Sequence, residues 1–254
     1  MKSVCLLPCV PMRAEFAERS EMVNQMLWGE AYEIDEVSDK WCRIRLLTDN
    51  YIGWVSKNMT QEVSTQEVSE WTNGKCKIVH SPGVWAEKES NGLRIFLPAG
   101  AIISGLDDRN KFGINGEKYV LCEEMQTPQS IVESALRLYG TPYLWGGRTM
   151  CGIDCSGLVQ VVFRQHGVWL PRDAREQVLT GKVVELNDIK GGDLAFFSNA
   201  EGRVVHVGIC MGNGEIIHSS GSVRIDKLTE EGIFNRERNA YTHKLSVIKR
   251  IANV

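Results

Sequence analysis

The sequence of 254 residues lacks the features that mark membrane-spanning and nucleic-acid-binding proteins. No apolar run approaches the roughly 20 residues that a membrane-spanning helix needs. The formal net charge is only −3, so nothing favours nucleic acid or an anionic membrane as a partner. Apolar residues make up 43% and charged residues 24%, which is typical of an ordinary soluble globular protein. We expect a monomer.

The sequence also lacks a disulfide framework and a clear export signal. None of the eight cysteines forms a CxxC pair, and several, such as Cys42 and Cys210, lie in apolar strand patterns where a free thiol packs as a small hydrophobe. A reducing compartment is therefore favoured. The N-terminal run MKSVCLLPCVPMR is broken by Pro8 and Pro11 and is a poor signal peptide. We expect a cytoplasmic protein, the alternative being a periplasmic or secreted protein whose signal was removed.

One dense segment, residues 142–177, organises the second half of the chain. Its glycine-rich loop leads into Asp154 and Cys155, and the apolar residues Leu158, Val159, Val162 and Phe163 then recur at helical spacing. Asp154 is a good N-cap, so Cys155 is predicted in the first turn of a buried helix. The unpaired N–H groups and the helix dipole there predict a lowered pKa for the Cys155 thiol and a site for an oxyanion. The alternative is that Cys155 is only a small buried residue.

A second segment, residues 204–221, contains two apolar runs around Gly212-Asn213-Gly214, which predict a β-hairpin. If the turn centres on Asn213, position 218 lies opposite position 208, and His206 and His218 share one face. A slip of one residue would break this relation. A cysteine that meets a histidine oriented by a second polar group is the arrangement of a thiol acyl-transfer enzyme.

The segments PYLWGG, DCSGLV, LPRDAREQ, GDLAFF, HVGI and IIHSSG, in that order, resemble the NlpC-type cysteine peptidase family of bacterial cell-wall endopeptidases. The resemblance covers about half of the chain and implies a papain-like α+β catalytic domain over 126–254. It implies that Cys155 is the nucleophile, His206 the base and His218 its orienting partner, with no cofactor. It also implies cleavage of the γ-linked bond between D-glutamate and a diamino acid in peptidoglycan peptides.

The same resemblance implies roles for residues around the nucleophile. Tyr143 would lie near the oxyanion site and Trp145 would line the cleft, although both could be core aromatics. Asp154 and Ser156 would contact the substrate backbone or the D-glutamyl carboxylate, although both could be only helix-capping groups. A zinc site made of Cys151, Cys155, His206 and His218 is a further alternative, but C-x3-C in a glycine loop lacks the usual spacing. We expect no metal.

The motif Leu170-Pro171-Arg172-Asp173 gives a further candidate. Arg172 is as compatible with a solvated salt bridge as with function, and Asp173 is compatible with an N-cap. In relatives with two SH3-like domains, this aspartate helps to bind the free amine of an N-terminal L-alanine, and a charge-assisted hydrogen bond suits that task. The frequent Asp-Ser pair is here Asp173-Ala174, which puts one substrate hydrogen bond in doubt.

The first half of the chain resembles two bacterial SH3-like barrels, at 1–62 and 63–125. AYEIDEV, WCRIRLL and YIGWVS predict strands of the first, and CKIVH, LRIFLPAGAIISGLD and KYVLCEE those of the second. The stretch between Arg13 and Gly29 is predicted as a helical turn or a long loop, and QEVSTQEVSEW as a linker or surface helix. Thr127, Pro128 and Gly140 predict a helix that begins after Thr127.

In the two-barrel subgroup, the first barrel caps the cleft and supplies a glutamate and a tyrosine to the amine site, which here implies Glu21 and Tyr51. The substrate would then be a freed murein peptide, L-Ala-γ-D-Glu-diamino acid, and the product L-Ala-D-Glu, in the recycling of wall peptides. The alternatives are an exported endopeptidase that remodels intact peptidoglycan and a wall-binding module without activity.

Overall fold

A computed structural model describes residues 1–252 of the protein. The chain forms two compact units, Met1–Thr127 and Pro128–Val254. None of the helices in the described residues has the length and apolar character that crossing a bilayer requires. All eight cysteines are free thiols.

The first unit begins with an antiparallel sheet of six strands in the order β1-β4-β5-β6-β2-β3. Its strands are β1 (Lys2–Val4), β2 (Cys9–Arg13), β3 (Met22–Leu27), β4 (Ala31–Val37), β5 (Trp41–Leu46) and β6 (Ile52–Ser56). The strands expected from AYEIDEV, WCRIRLL and YIGWVS are confirmed, and alternation buries Cys42, Ile44 and Leu46. The prediction of a helical turn or a long loop between Arg13 and Gly29 missed strand β3, which follows a short loop there. The polar residues Asn24 and Gln25 in this strand hid its pattern in the sequence.

A helix and a second set of strands complete this unit, after a 3₁₀ turn at Lys57–Met59. They are α1 (Thr65–Asn73), β7 (Cys76–Ile78), β8 (Gly83–Lys88), β9 (Arg94–Pro98), β10 (Ile102–Ser104), β11 (Lys111–Ile114) and β12 (Glu117–Leu121). They form a sheet in the order β11-β12-β8-β9 and a ribbon of β10 with β7. Trp28 and Trp71 pack in one core with residues of both sets, and the indole N–H of Trp71 donates to Gly29 O at 3.0 Å. The two segments predicted as separate domains thus share a hydrophobic core.

The second unit combines short helices with one large antiparallel sheet. Its helices are α2 (Ile131–Leu136), α3 (Cys155–Gln165) and α4 (Ala174–Gln177), with a 3₁₀ turn at Leu186–Asp188. Its strands are β13 (Arg148–Thr149), β14 (Gly152–Ile153), β15 (Lys182–Val183), β16 (Leu194–Ser198), β17 (Val204–Cys210), β18 (Glu215–Ser220), β19 (Ser222–Leu228), β20 (Gly232–Asn235) and β21 (Ala240–Arg250).

The large sheet has the order β15-β21-β16-β17-β18-β19-β20, and β20 also pairs with β21, so six of its strands close into a barrel. Helix α3 packs against β17 and β18 through a core that includes Leu158, Val162, Val207 and Ile217. This packing brings the first turn of α3 to the strand that carries His206.

The start of α2 differs from the prediction. The helix begins at Ile131, and its N-cap is Ser130, whose hydroxyl accepts a hydrogen bond from Glu133 N at 3.1 Å. The sequence Ser-Ile-Val-Glu has the capping-box pattern, and the Glu133 carboxylate accepts from Gln129 N, one residue before the N-cap, at 2.7 Å. These two hydrogen bonds start the helix at Ile131, and not directly after Thr127 as Thr127 and Pro128 predicted.

Candidate active site

The first turn of α3 holds Cys155 as predicted. Asp154 is the N-cap, and its Oδ1 accepts a hydrogen bond from Gly157 N at 2.7 Å. Gly157 is required in this turn, because a Cβ there would lie 2.3 Å from Gly147 O. Cys155 is 6% exposed, and the backbone N–H groups of Val207 and Ser156 act to lower the pKa of its thiol. Cys155 packs in one core with Val207 of β17, the residue next to His206.

The predicted register of the histidine hairpin is confirmed. Ile209 pairs with Ile217 and Cys210 with Ile216, which continues to place position 208 opposite position 218. Gly208 makes room for the second histidine, since a Cβ at 208 would lie 2.8 Å from the Cβ of His218. His206 and His218 are consequently diagonal neighbours on one face, with His206 Nε2 2.8 Å from His218 Nδ1.

The histidine pair continues into a buried polar chain. His218 Nε2 lies 3.1 Å from the Oδ2 atom of Asp226, which also accepts from Arg224 Nε at 2.9 Å. His243 stacks on the His206 ring with centroids 4.2 Å apart. Burial, and then the nearby His218, lowers the pKa of His243 to about 4, so that it stacks as a neutral ring at neutral pH.

The expectation of a lowered thiol pKa is wrong. Burial, and secondarily the Asp154 carboxylate, raises the pKa of the Cys155 thiol to about 11, and the backbone N–H groups of Val207 and Ser156 and the charge of Arg172 do not offset this rise. Burial, together with His218 and His243, lowers the pKa of His206 well below its ordinary value. Both shifts favour a neutral thiol beside a neutral imidazole, so the proton leaves the sulfur as the sulfur attacks.

This resting state predicts the pH dependence of thiol alkylation. The rate at Cys155 with iodoacetamide is expected to rise about tenfold per pH unit from pH 7 to 9 without a plateau, because only the thiolate reacts and its fraction grows throughout. Site-resolved mass spectrometry measures this rate separately from those of the exposed Cys76, Cys122 and Cys151. A rate at Cys155 that is already constant between pH 6 and 8 would reveal a preformed thiolate.

Asp154 and Ser156 lie in a buried network with Arg172. Arg172 Nη1 donates to Asp154 Oδ1 at 3.0 Å, Arg172 Nη2 donates to Asp154 Oδ2 at 2.6 Å, and Gly146 N donates to Asp154 Oδ2 at 2.8 Å. The Ser156 hydroxyl accepts from Arg172 Nη1 at 2.8 Å. Both carboxylate oxygens of Asp154 are thus engaged inside the protein, and the substrate contacts of Asp154 and Ser156 stay predictions. Arg172 is 2% exposed, so the alternative of a solvated salt bridge is wrong for it.

The two aromatic candidates lie at different depths. Tyr143 is partly buried, and burial, then the nearby Cys155 and Asp154, raises the pKa of its phenol to about 12. The hydroxyl of Tyr143 is therefore a neutral donor at neutral pH. Trp145 is 57% exposed and does not belong to the core. The cleft role of Trp145 and the oxyanion role of Tyr143 stay predictions.

The predicted amine ligands belong to two units. In the first unit, Glu21 is exposed directly before β3, and the hydroxyl of Tyr51 lies 3.4 Å from Val23 O, two residues further along. In the second unit, the Asp173 carboxylate pairs with Arg175 at 3.0 Å. Asp173 is the N-cap residue of α4 but makes no side-chain capping bond. Their roles in amine binding stay predictions.

Sequence reasoning missed Asp226, Arg224 and His243. A signal for the first two was present, because a tight turn at Gly221 places position 224 opposite His218, and position 226 then lies on the same face. No local signal identifies His243, which the closure of the barrel brings to His206 from strand β21. Within residues 1–252, no group of three or more His, Cys, Asp and Glu side chains is arranged to hold a metal ion.

Two sequence profiles match parts of this chain. Residues 140–241 match the sequence profile of the NlpC/P60 family, and residues 12–58 match that of the bacterial dipeptidyl-peptidase Sh3 domain. A crystal structure of an NlpC/P60 family protein from Bacillus cereus ATCC 10987 has the same fold, with a TM-score of 0.84 at 18% identity over 98% of this chain and 99% of that one.

Two relatives from Bacillus subtilis (strain 168) are informative. The gamma-D-glutamyl-L-lysine dipeptidyl-peptidase is 28% identical over 240 residues, which are 84% of this chain and 78% of that protein. The gamma-DL-glutamyl hydrolase is 39% identical over 121 residues, which are 46% of this chain but only 29% of that protein.

Fold, site and comparisons together define a cysteine peptidase. Its catalytic domain belongs to the NlpC/P60 family and follows an SH3-like domain of the bacterial dipeptidyl-peptidase type. A second SH3-like barrel at 63–125 stays a prediction, because the profile match covers only the first.

Proposed function

We propose that the protein hydrolyses the γ-D-glutamyl–L-diamino acid bond of murein peptides that carry a free N-terminal L-alanine, and that it releases L-Ala-D-Glu. The observation that carries the proposal is the packing of Cys155, at the start of α3, against strand β17, which carries His206, whose Nε2 is 2.8 Å from His218 Nδ1. The name of the B. subtilis relative, a gamma-D-glutamyl-L-lysine dipeptidyl-peptidase similar over 84% of this chain, supports the substrate class.

The chemistry follows from the arrangement of the three side chains. The Cys155 sulfur attacks the γ-carbonyl carbon while its proton passes to His206, and the tetrahedral intermediate forms. The imidazolium of His206 protonates the leaving amine of the diamino acid, which leaves a thioester. A water molecule activated by His206 hydrolyses the thioester, and the thiol is restored. The raised pKa of Tyr143 suits a hydroxyl that donates to the oxyanion.

The proposed selection for a free amine distinguishes this function from general wall cleavage. Glu21, Tyr51 and Asp173 are the proposed ligands of the ammonium group. The carboxylates of Glu21 and Asp173 suit this role, because they bind a cation by charge-assisted hydrogen bonds. The proposed setting is the recycling of wall peptides in the cytoplasm by a monomeric enzyme. An exported endopeptidase that acts on intact peptidoglycan is the competing function that the test below must separate.

The test compares L-Ala-γ-D-Glu-L-Lys with its N-acetyl derivative and measures the release of L-Ala-D-Glu or its acetylated form by mass spectrometry. We expect kcat/KM to be about 100-fold higher for the free peptide, because acetylation removes the charge of the amine and with it the proposed charge-assisted hydrogen bonds to the carboxylates. Glu21→Gln is expected to lower this preference, whereas Glu62→Gln, which changes a carboxylate outside the proposed ligands, should keep it.

Three other outcomes would contradict parts of the proposal. Equal cleavage of the two peptides would remove the amine requirement and leave a general endopeptidase. Cleavage of intact sacculi but of neither peptide would favour the exported wall enzyme. Release of product by a Cys155→Ala protein at the wild-type rate would contradict the thiol mechanism itself.

A further inference from the structure

The polar chain behind the catalytic histidine does not end at His218. We propose that Asp226 is a positioning residue that fixes the ring proton of both histidines, so that His206 presents an unprotonated Nδ1 to Cys155. This inference rests on the proposed catalytic roles of Cys155 and His206. Neither the sequence motifs nor the comparisons give a role to Asp226, which lies on strand β19.

The direction of each hydrogen bond follows from the donors around Asp226. Its Oδ2 atom accepts from Arg224 Nε at 2.9 Å and from Asn235 Nδ2 at 3.4 Å, and its Oδ1 faces Arg224 Nη2 at 3.3 Å. Burial alone would raise the pKa of Asp226, but hydrogen bonds from His218 and Arg224 outweigh burial and lower the pKa. Asp226 is therefore an ionised carboxylate, which can only accept.

An acceptor at this position determines the tautomer of both rings. His218 Nε2, 3.1 Å from Asp226 Oδ2, must carry the proton, so a neutral His218 has a lone pair on Nδ1. That lone pair lies 2.8 Å from His206 Nε2, which must then donate. A neutral His206 with its proton on Nε2 has its lone pair on Nδ1, and this is the nitrogen that would accept the proton of Cys155. The carboxylate thus acts across two imidazoles.

The surroundings of the rings are otherwise poor in charge. Among the described residues, Phe197 from β16, Asp226 from β19 and His243 from β21 contact the two imidazoles, and Arg224 and Asn235 in turn contact Asp226. Asp226 is 4% exposed and Arg224 connects it to the exposed Glu237 at 3.1 Å. Asp226 is therefore the anion in contact with the chain of rings, and Glu237 is a matched carboxylate one arginine away.

Three substitutions test the proposal. Asp226→Ala removes the acceptor and is expected to lower kcat about 100-fold with little change in KM, because the unfavourable tautomer of His206 becomes populated. Asp226→Asn keeps an oxygen where three donors converge and removes only the charge, so a smaller loss of about tenfold is expected. Glu237→Ala, the control, should keep kcat within about twofold.

Two readouts separate positioning from a structural role. With ¹⁵N-labelled histidine, the five imidazoles of the full chain are few enough to assign, and wild-type His206 and His218 should both show a protonated Nε2 and an unprotonated Nδ1. Asp226→Ala should mix the tautomers and Asp226→Asn should not. The acidic limb of kcat/KM should move to lower pH in Asp226→Asn, because the lost carboxylate no longer stabilises a positive charge on the rings.

The outcomes test the positioning role of Asp226 and the proposed peptidase function separately. Wild-type kcat and unchanged tautomers in Asp226→Ala would overturn the role of Asp226. If Asp226→Ala fails to fold, the pH limb of Asp226→Asn decides, and an unmoved limb counts against the role. If the wild-type protein hydrolyses no γ-D-glutamyl peptide, the proposed function fails, while the imidazole tautomers still support or overturn the positioning of the rings.

Discussion

Replacing Cys155 with serine is expected to lower kcat/KM for the free tripeptide by about 10⁴-fold or more. The hydroxyl fits the space of the thiol at the start of α3, but its pKa is higher still, and the buried His206 is a weak base whose pKa lies well below its ordinary value. A base of this strength accepts a proton from a thiol more readily than from an alcohol, because the thiol is the stronger acid. Steady-state release of L-Ala-D-Glu, followed by mass spectrometry, measures the loss.

The matched control is Cys151→Ser, four residues earlier in the glycine-rich loop. Cys151 is exposed, and its replacement is expected to keep kcat/KM within about twofold, since surface substitutions of this kind change little. A similar loss in both variants would show that the loop, and not the nucleophile, limits the reaction. Far-UV circular dichroism of both proteins checks that the fold is intact.

The sequence predicted the parts of the site whose geometry is local. The N-cap at Asp154 follows from residue type, and the relation of His206 to His218 follows from the period of a strand and the length of a turn. Both features depend on fewer than about 15 neighbouring residues. Most strands of the first unit were likewise visible as alternating patterns.

The parts that could not be predicted depend on contacts distant in the chain. The pKa of Cys155 was expected to fall because the helix terminus is a local feature, but burial under β17 outweighs it, and burial is decided by the whole fold. His243 reaches His206 only through closure of the barrel, 37 residues away in sequence. The partner of Arg172 is 18 residues away, and nothing in LPRD indicates that this pair is buried.

These long-range contacts explain why the site can be both neutral and reactive. A preformed thiolate would be desolvated in this pocket, and a neutral thiol avoids that cost until the substrate is in place. Until then, the contact with His218 holds the ring of His206, the base, in one orientation. The polar network on the other side of Cys155 performs the same task for the nucleophile.

Replacing Arg172 with methionine is therefore expected to destabilise the catalytic unit by about 3–5 kcal/mol. The substitution keeps an unbranched apolar stem but leaves the Asp154 carboxylate buried without its cation. Gly146 N and Gly157 N still donate to Asp154, which places the expected loss at the lower end of this range. Hydrogen exchange of α3 and calorimetric unfolding of the full chain measure the change.

Two further variants separate the charge effect from packing. Arg175→Met, three residues along, removes an arginine whose side chain is 74% exposed, and a change within about 0.5 kcal/mol is expected. In Arg172→Met with Asp154→Asn, the asparagine can still cap α3 but carries no charge, so the double variant should be more stable than Arg172→Met alone. If it is less stable by the full sum of the single effects, the pair is not coupled, and packing of the arginine stem holds the Gly146 loop against the first turn of α3.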